Sequence, residues 1–379
     1  MRTFTLKGLF VTAVFMVLGC LAIHAADGDL ITKQITIKLE KAGTLPSKIG
    51  DTKKYKITNL KIMGEINGTD LCFIREMAGS NDIGQGTNGK LVTLDLSGSK
   101  IVKGGDCYYR VDNGYSTYYH YYTSDDVIGA YAFKNCSDLT SLTLPSSVTR
   151  IGDYAFKNCS GLTSLTLPSS VTRIGDYAFY NCSGLTSLTL PSSVTSIGEF
   201  AFRYCSGLTS LTLPSGVTSI GMSAFEYCSS LTSLTLPSSV NEIGIYAFHG
   251  CSGLTSLTLP SSVTAIGGSA FEGCSGLTSI YVSWESPLSI AASTFKDANT
   301  EKCILYVPKG TYDDYWLSNW GIFANIVEYD ATGIDHITTS GEAKEISRYA
   351  ADGQRLEVPA KGLNIVKYSD GSVKKVVVQ

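Results

Sequence analysis

The stretch from Ile128 to Val282 repeats one 23-residue pattern, I-G-x-Y-A-F-x-N-C-S-G-L-T-S-L-T-L-P-S-S-V-T-x. The units follow one another without insertion or deletion. They begin at Ile128, Ile151, Ile174, Ile197, Ile220, Ile243 and Ile266. A fixed short period is the sequence signature of a solenoid, in which each repeat forms one coil. The stretch 128–282 therefore predicts seven stacked coils.

Within one unit, the segment L-x-x-L-x-L places Leu188 and Leu190 two residues apart, so both side chains fall on one face of a short strand. Pro191 cannot donate to a ladder and ends this strand. The segment I-G-D-Y-A-F at Ile174 is too short for an ordinary helix. It predicts one helical turn or irregular chain on the opposite side of the coil.

The pattern L-x-x-L-x-L followed by P-x-x-V-x-x-I-G-x-x-A-F-x-x-C resembles the BspA-like (Treponema-type) leucine-rich repeats of bacterial surface proteins. The match covers all seven units. The resemblance implies a leucine-rich repeat solenoid with a parallel sheet on one face, short helical or irregular turns on the other, and capped ends. It also implies surface exposure and adhesion to host or matrix proteins.

Residues 1–25 have the pattern of a secretory signal peptide, with basic residues before an apolar run from Leu9 to Ile23. One interpretation is cleavage after Ala25. The other is a lipobox that ends at Cys20, with a lipid anchor on this cysteine. Both predict export to the cell surface or the extracellular space. No apolar run after residue 25 approaches 18 residues, so the mature chain has no predicted transmembrane segment.

Residues 27–127 are predicted to form an N-terminal cap. Ile35–Leu39 alternates like a half-buried strand, and Ile57–Ile62 and Leu91–Leu96 both follow the L-x-x-L-x-L template. Degenerate repeats of this kind are typical of the ends of solenoids.

A tyrosine-rich insertion interrupts the period between residues 103 and 127. Tyrosine, serine and glycine are typical of binding loops, because tyrosine offers contact area at low entropic cost. Alternatively, the insertion is a structured flap that covers the first regular coil, as similar insertions in the resembled family imply. The candidate ligand contacts are Tyr108, Tyr109, Tyr115, Tyr118, Tyr119, Tyr121 and Tyr122.

The strand positions that face away from the core carry serine and threonine in almost every unit. This flat face of hydroxyls is interpreted either as a docking surface for an extended protein or a glycan, or as a solvated sheet without a ligand. Its candidate binding residues are Ser164, Thr166, Ser187, Thr189, Ser210 and Thr212.

The repeat pattern breaks after Val282, and residues 283–330 are predicted to form a C-terminal repeat and cap. Cys303–Pro308 is expected to be the last strand. The segment Gly310–Trp320 is expected to form a helical cap that continues through Phe323, Ile326 and Val327.

Residues 331–379 are predicted to be a linker and a small antiparallel β module, with turns at Asp352-Gly353 and Asp370-Gly371. The module resembles C-terminal modules of exported bacteroidete proteins, some of which are sorting signals. Whether this one sorts the chain stays open.

One cysteine occurs in each coil, at Cys136, Cys159, Cys182, Cys205, Cys228, Cys251 and Cys274. Stacked coils bring these residues close enough for disulfides, but their side chains point in parallel directions. We therefore predict a ladder of buried free thiols. Clustered C-x-x-C spacing, which a zinc site would need, is absent from the sequence. A bridge between Cys72 and Cys107 remains an open alternative.

The sequence gives no support for catalysis, a cofactor or a metal, and a formal charge of −3 gives no basic footprint for nucleic acid. The leading hypothesis is an adhesion protein for a host or extracellular matrix protein. The alternatives are a glycan-binding accessory protein of a surface uptake system and a passive structural protein. The chemically irregular sites are the tyrosine insertion and a variable row on the turns with the aromatics Tyr180, Tyr204 and Tyr227. The ligand is expected at the tyrosine insertion, either alone or together with the adjoining Ser/Thr face.

Overall fold

The structure is a computed structural model that describes residues 29–115, 117–330, 345–350, 355–356, 362–368 and 373–378. The predicted export segment, Cys20 and residues 331–344 lie outside the described residues. From residue 35 to residue 329 the chain winds into stacked coils that together build one parallel sheet of 12 strands. This architecture confirms the leucine-rich repeat solenoid.

The N-terminal part contains strand β1 (Ile35–Leu39), helices α1 (Leu45–Ile49) and α2 (Asp51–Lys54), strand β2 (Asn59–Ile66), helix α3 (Gly68–Met77) and strand β3 (Thr93–Ile101). The three strands pair in parallel, as the degenerate repeats predict. The buried carboxylate of Asp70 accepts hydrogen bonds from the backbone N–H groups of Gly43, Leu45 and Asn67. It therefore ties the start of α3 to the connection that follows β1.

The tyrosine-rich insertion is an antiparallel ribbon of two strands, β4 (Gly104–Asp112) and β5 (Tyr118–Thr123). It leaves the coil after β3, and the main sheet continues directly from β3 to the first strand of the regular repeats. The ribbon is thus an addition to the solenoid and not one of its coils.

Each regular coil has one strand in the main sheet and, from β6 onward, a second strand of two residues. In chain order the strands are β6 (Val127–Ile128), β7 (Ser141–Thr143), β8 (Arg150–Ile151), β9 (Ser164–Thr166), β10 (Arg173–Ile174), β11 (Ser187–Thr189), β12 (Ser196–Ile197), β13 (Ser210–Thr212), β14 (Ser219–Ile220), β15 (Ser233–Thr235), β16 (Glu242–Ile243), β17 (Ser256–Leu259), β18 (Ala265–Ile266) and β19 (Ser279–Val282). The odd-numbered strands from β7 extend the main sheet. The even-numbered strands form two narrow side sheets, which the repeat pattern does not predict.

The I-G-x-Y-A-F segments are turns, so the irregular alternative is correct and the helical turn is wrong. The reason is the hydrogen bonding of the backbone. Tyr154 and Phe156 donate their N–H groups to Asp176 and Ala178 of the next coil, at N···O distances of 2.8 and 2.7 Å. N–H groups used between coils cannot close an intrahelical ladder.

The core is a column of stacked phenylalanines beneath the turns. Adjacent rings, such as those of Phe156 and Phe179, lie 5.1 Å apart and nearly parallel. Leucines of the main strands close the other side, with Leu188 directly opposite Leu165 as the pattern predicts. Each repeat is covered by its neighbours, which is how units too small to fold alone become stable.

The C-terminal cap contains strand β20 (Ile304–Pro308), helix α4 (Tyr312–Trp316), a 3₁₀ turn (Asn319–Ile322) and strand β21 (Asn325–Tyr329). The predicted helical cap is confirmed at α4. The expected last strand is not the last, because β21 pairs in parallel with β20. Ile326 and Val327 therefore belong to a strand rather than to a continued helix. Trp320 is fully buried and packs on Phe295, which ends the phenylalanine column.

The tail has four antiparallel strands, β22 (Glu345–Ala350), β23 (Arg355–Leu356), β24 (Gly362–Tyr368) and β25 (Val373–Val378). A small antiparallel β module is therefore present, as predicted. The expected turns at Asp352-Gly353 and Asp370-Gly371 lie outside the described residues.

Candidate binding surfaces

The base of the tyrosine ribbon is buried against the first regular coil. Tyr108 donates its hydroxyl to the carbonyl of Ala130 at 2.8 Å and is 1% exposed. Tyr109 is 2% exposed, and its ring stacks on Tyr131 at 4.9 Å. Tyr121 lies 4.8 Å from the same ring and is half-buried. Tyr108 and Tyr109 are therefore packing residues in this structure, which corrects their expected role as ligand contacts.

A buried arginine, which the sequence pattern does not point to, holds this base in place. Arg75 of α3 is fully buried and donates to the backbone carbonyls of Tyr131 and Ala132 at 2.7 and 3.0 Å, and to that of Asn81 at 3.0 Å. Its guanidinium also lies 4.6 Å from the centre of the Tyr109 ring. One side chain thus joins α3, the loop after it, the ribbon and the first coil.

The aromatic packing continues from the ribbon along the turns. The rings of Tyr131, Tyr154, Tyr177 and Phe200 stack face to face at spacings of 4.6 to 4.8 Å. Lys157 lies over this column, and burial together with nearby Lys134 lowers the pKa of its ammonium group. The ribbon and the turns therefore form one continuous surface, which we call the turn face.

A second group of rings on the turn face branches from this column. Tyr180 lies 5.7 Å from Tyr177 and packs edge-on against Tyr204, which stacks on Tyr227 at 5.1 Å. Arg203 covers the Tyr204 ring and pairs with the buried carboxylate of Glu226 at 2.9 Å. The predicted variable row is thus brought together as a connected surface.

The outer part of the ribbon is exposed to solvent. Tyr115 is 86% exposed, and the exposed fractions of Tyr118, Tyr119 and Tyr122 are 43%, 63% and 54%. Arg110 pairs with Asp82 and lies 5.5 Å from the Tyr118 ring. Four of the seven candidate tyrosines are therefore available to a partner in solution.

The predicted Ser/Thr face is present on the main sheet. The outward residues Ser164, Thr166, Ser187, Thr189, Ser210 and Thr212 are exposed, and their strands are in register. The threonine before each strand has a structural role. Thr186, for example, donates its hydroxyl to the carbonyl of Thr163 at 3.2 Å. The contacts of the ribbon described above are with α3, the loop after it and the first turn, and none of them reaches the Ser/Thr face.

The ladder cysteines are buried free thiols. From Cys159 onward, each donates to a phenylalanine carbonyl of the preceding coil, for example Cys205 to Phe179 at 3.1 Å. Burial raises the pKa of Cys205 and Cys274 to about 12, which keeps both thiols protonated at neutral pH. Cys72 and Cys107 are also free thiols, so the alternative of a bridge between them is not supported.

Among the described residues, no group of three or more His, Cys, Asp or Glu side chains could hold a metal ion. None of the helices that these residues form is long and apolar enough to span a bilayer.

Comparison with solved structures finds bacterial leucine-rich repeat proteins. The T. pallidum leucine-rich repeat protein is 36% identical, covering 40% of this chain and 71% of that one, with a TM-score of 0.39. A leucine-rich cell surface protein of Faecalibacterium prausnitzii is 31% identical over 52% of this chain and 62% of that one, with a TM-score of 0.41. The pneumococcal vaccine antigen PcpA is 19% identical over 73% of this chain and 80% of that one, with a TM-score of 0.36. The comparison with curated proteins found no significant match.

The family model described as a BspA type leucine-rich repeat region matches residues 126–229 and 218–319, in six copies. These residues are the regular coils and the first part of the C-terminal cap. They make up just over half of the chain, and their pattern is the one that builds the coils described above. The chain belongs to the BspA-type leucine-rich repeat family.

Proposed function

We propose that this chain is an exported bacterial surface protein that binds a host or extracellular matrix protein through the turn face, with the tyrosine ribbon as its main contact. The observation that carries the proposal is the group of four exposed tyrosines, Tyr115, Tyr118, Tyr119 and Tyr122, on a ribbon with a buried base. Tyrosine is enriched among the residues that dominate protein interfaces. A preorganised ribbon also loses little entropy when it binds.

The chemistry of the two surfaces favours the ribbon over the Ser/Thr face. Recognition of one partner over another requires local differences in contacts. The Ser/Thr face repeats the same two hydroxyls in successive strands, whereas the turn face changes from Lys157 to Tyr180, Arg203 and Glu226 in consecutive coils. The membership of a family with surface proteins agrees with this role.

The test begins with a panel of purified extracellular matrix and serum proteins, alongside a glycan array. For each protein that binds, affinity is compared between the parent and a variant in which the four exposed tyrosines are replaced by serine. We expect a loss of about tenfold or more, because interface tyrosines in hot spots contribute on the order of 2 kcal/mol. Tyr108, Tyr109 and Tyr121 stay unchanged, so the buried base is preserved.

The matched control is the double variant Thr166→Lys/Thr189→Lys on the Ser/Thr face, which should bind like the parent. Circular dichroism confirms that both variants are folded. Loss of binding in the control with no loss in the ribbon variant would place the site on the Ser/Thr face. Binding to glycans and to no protein of the panel would instead favour the accessory role in glycan uptake.

A further inference from the structure

The outer edge of β5 carries unpaired backbone groups. In an antiparallel pair, residues that exchange hydrogen bonds with the partner strand alternate with residues whose backbone groups point away from it. Asn113 N–H donates to Thr117 O at 3.1 Å, so these two residues are a hydrogen-bonded pair from which the alternation can be counted. Arg110 and His120, which are opposite each other, therefore point their backbone groups outward. Arg110 N–H donates to Asp82 O on the far side of β4, which agrees with an outward direction for the backbone groups of Arg110.

The same alternation directs the backbone groups of Tyr118, His120 and Tyr122 away from β4. The ribbon has two strands, so β5 has a partner on one side alone. Across the described part of the chain, no hydrogen bond reaches the outward backbone groups of these three residues. Their side chains are exposed as well. The edge of β5 is thus open to another strand.

This edge is also unusual because it lacks the features that keep strands apart. Proline, lysine and other charged residues on edge strands oppose pairing with a second chain. The end strands of the main sheet carry such residues, Lys38 on β1 and Glu328 on β21. Between Tyr118 and Tyr122 the sequence is Y-Y-H-Y-Y, without proline, lysine, arginine or carboxylate. Tyrosine also favours β structure.

The segment 118–122 reads the same in both directions around His120. A second copy of this strand that pairs with it antiparallel, centred on His120, is related to it by a two-fold axis, as an isologous interface requires. The mirrored order of residues then places tyrosine opposite tyrosine on both sides of His120. We propose that β5 pairs with β5 of a second copy of this chain, which joins the two ribbons into one four-stranded antiparallel sheet. His120 then lies opposite its counterpart, and Tyr118 lies opposite Tyr122 of the second copy.

This pairing gives hydrogen-bond partners to the outward backbone groups of β5 and keeps the proposed ligand surface accessible. The outward groups of Tyr118, His120 and Tyr122 exchange backbone hydrogen bonds across the axis, and opposite tyrosines form aromatic cross-strand pairs. Sheet pairing uses the backbone edge, so the outer faces of both ribbons remain open. A dimer would present two ligand sites together and bind a repetitive partner with avidity. One short strand buries less area than a stable interface needs, so association should depend on concentration.

The experiment is sedimentation velocity of the purified chain without any ligand, over a concentration series. We expect the weight-average mass to rise from that of one chain toward that of two. His120→Lys and His120→Glu each place like charges opposite each other at the axis and should weaken self-association about tenfold or more. An equimolar mixture of these two variants should associate again, because lysine then faces glutamate. Arg110, the neighbour of His120 within the ribbon, is already paired with Asp82.

The matched control is Tyr115→Lys, which adds the same charge at the tip of the ribbon but off the strand, and should associate like the parent. His120→Pro is a second test, since it removes one outward N–H and leaves the inward ladder intact. It should abolish the dimer while circular dichroism stays unchanged. A monomer at every concentration, or a dimer that the His120 variants do not weaken, would overturn the pairing. No ligand is present, so this result is independent of the proposed binding function.

Discussion

The Ser/Thr face and the turn face belong to the same coils but differ in what their sequences must satisfy. On the Ser/Thr face the main-sheet strands from β7 to β17 present the same small hydroxyls on either side of a leucine, in register with their neighbours. On the turn face, the residue at one position of the repeat changes from coil to coil, from Lys157 to Tyr180 to Arg203. The strands are restricted by the geometry of a parallel sheet, whereas the turn side chains are free to vary above a constant core.

The difference shows that the coils of this solenoid differ from one another in side-chain chemistry at the turns and not at the strands. Variation is tolerated at the turns because the buried positions beneath them, such as Phe179, Cys182 and Ala178, hold the coils together. The tyrosine ribbon extends the variable side and not the constant one, since Tyr109 continues the column of rings that begins at Tyr131. The two faces should therefore respond differently to mutation.

The largest effect is expected in the core that both faces share. Phe179→Ala removes a fully buried ring that stacks between Phe156 and Phe202. The expected loss is about 3–5 kcal/mol of unfolding free energy, because a cavity replaces the ring. Urea unfolding measures it, with Thr189→Ala on the Ser/Thr face as a control that should change the free energy by less than about 0.5 kcal/mol. An unchanged midpoint in Phe179→Ala would show that this ring is not part of the core.

Most of the solenoid could be predicted because its cause is local and repeated. The two-residue spacing of Leu188 and Leu190, and the proline after them, indicate a strand that ends at a known position. The buried free thiols of the cysteine ladder follow from the same stacking. The strand pattern of one unit is a weak signal, but the same pattern recurs in all seven units. An assignment that fitted one unit and not the others would therefore be recognised as wrong.

The remaining features depend on contacts between distant residues, which a repeat pattern does not encode. Arg75 reaches Tyr131 and Ala132 across more than 50 positions. The side strands, such as Arg173-Ile174, are two residues long and too short to leave a periodic signal. The final strand of the main sheet, β21, follows α4 and the 3₁₀ turn, and the sequence alone predicts its residues Ile326 and Val327 as a continuation of the helix. Tyr108 and Tyr109 lie in the same tyrosine-rich insertion as the exposed tyrosines. The sequence alone therefore does not distinguish tyrosines that pack against the first coil from tyrosines that are open to a ligand.

The junction between the ribbon and the turn face offers the next test. Arg75→Leu leaves the carbonyls of Tyr131 and Ala132 without this buried donor, at a cost of about 3 kcal/mol for the group. Hydrogen exchange should show faster exchange in β4 and β5, with the later coils protected as before. The control is Lys134→Leu, whose ammonium lies over the Tyr109 ring and is partly exposed. Equal protection of the ribbon in both variants would contradict the role of Arg75.

The buried thiols beneath the turns predict a pH dependence at alkaline pH. Burial raises the pKa of Cys205 to about 12 from the ordinary value of 9.0, so the folded state favours the protonated thiol. The contribution to stability is complete below pH 9 and is lost as the pH rises toward 12, at up to about 1.4 kcal/mol per pH unit. Cys205→Ala should reduce this slope. A slope equal to that of the parent would mean that the thiol ionises as freely in the folded chain as in the unfolded one.

The smallest expected effect is the free-energy cost of a backbone conformation on the turn face, measured apart from the loss of the side chain. Tyr204 has a positive φ of 63°, a left-handed conformation that costs most residues about 1–2 kcal/mol, whereas Tyr180 in the preceding coil does not have a positive φ. Substitution of Tyr204 by glycine or by alanine removes the same ring from its stack on Tyr227. The difference between these two variants therefore reports the backbone alone. Glycine should be the more stable of the two by about 1 kcal/mol, because it adopts this conformation without strain.

At Tyr180 the order should reverse, with alanine more stable than glycine by roughly 0.5–1 kcal/mol, since the unfolded glycine chain has more freedom to lose. Urea midpoints of the four variants provide the measurement. Opposite signs at the two positions would establish that the chain accepts a strained turn at Tyr204 in order to place an aromatic ring on the turn face. Gly250 and Gly273 occupy the equivalent position in later coils without strain. The same sign at both positions would instead make the ring stack at Tyr204 a product of ordinary packing and remove the backbone argument for a specialised turn face.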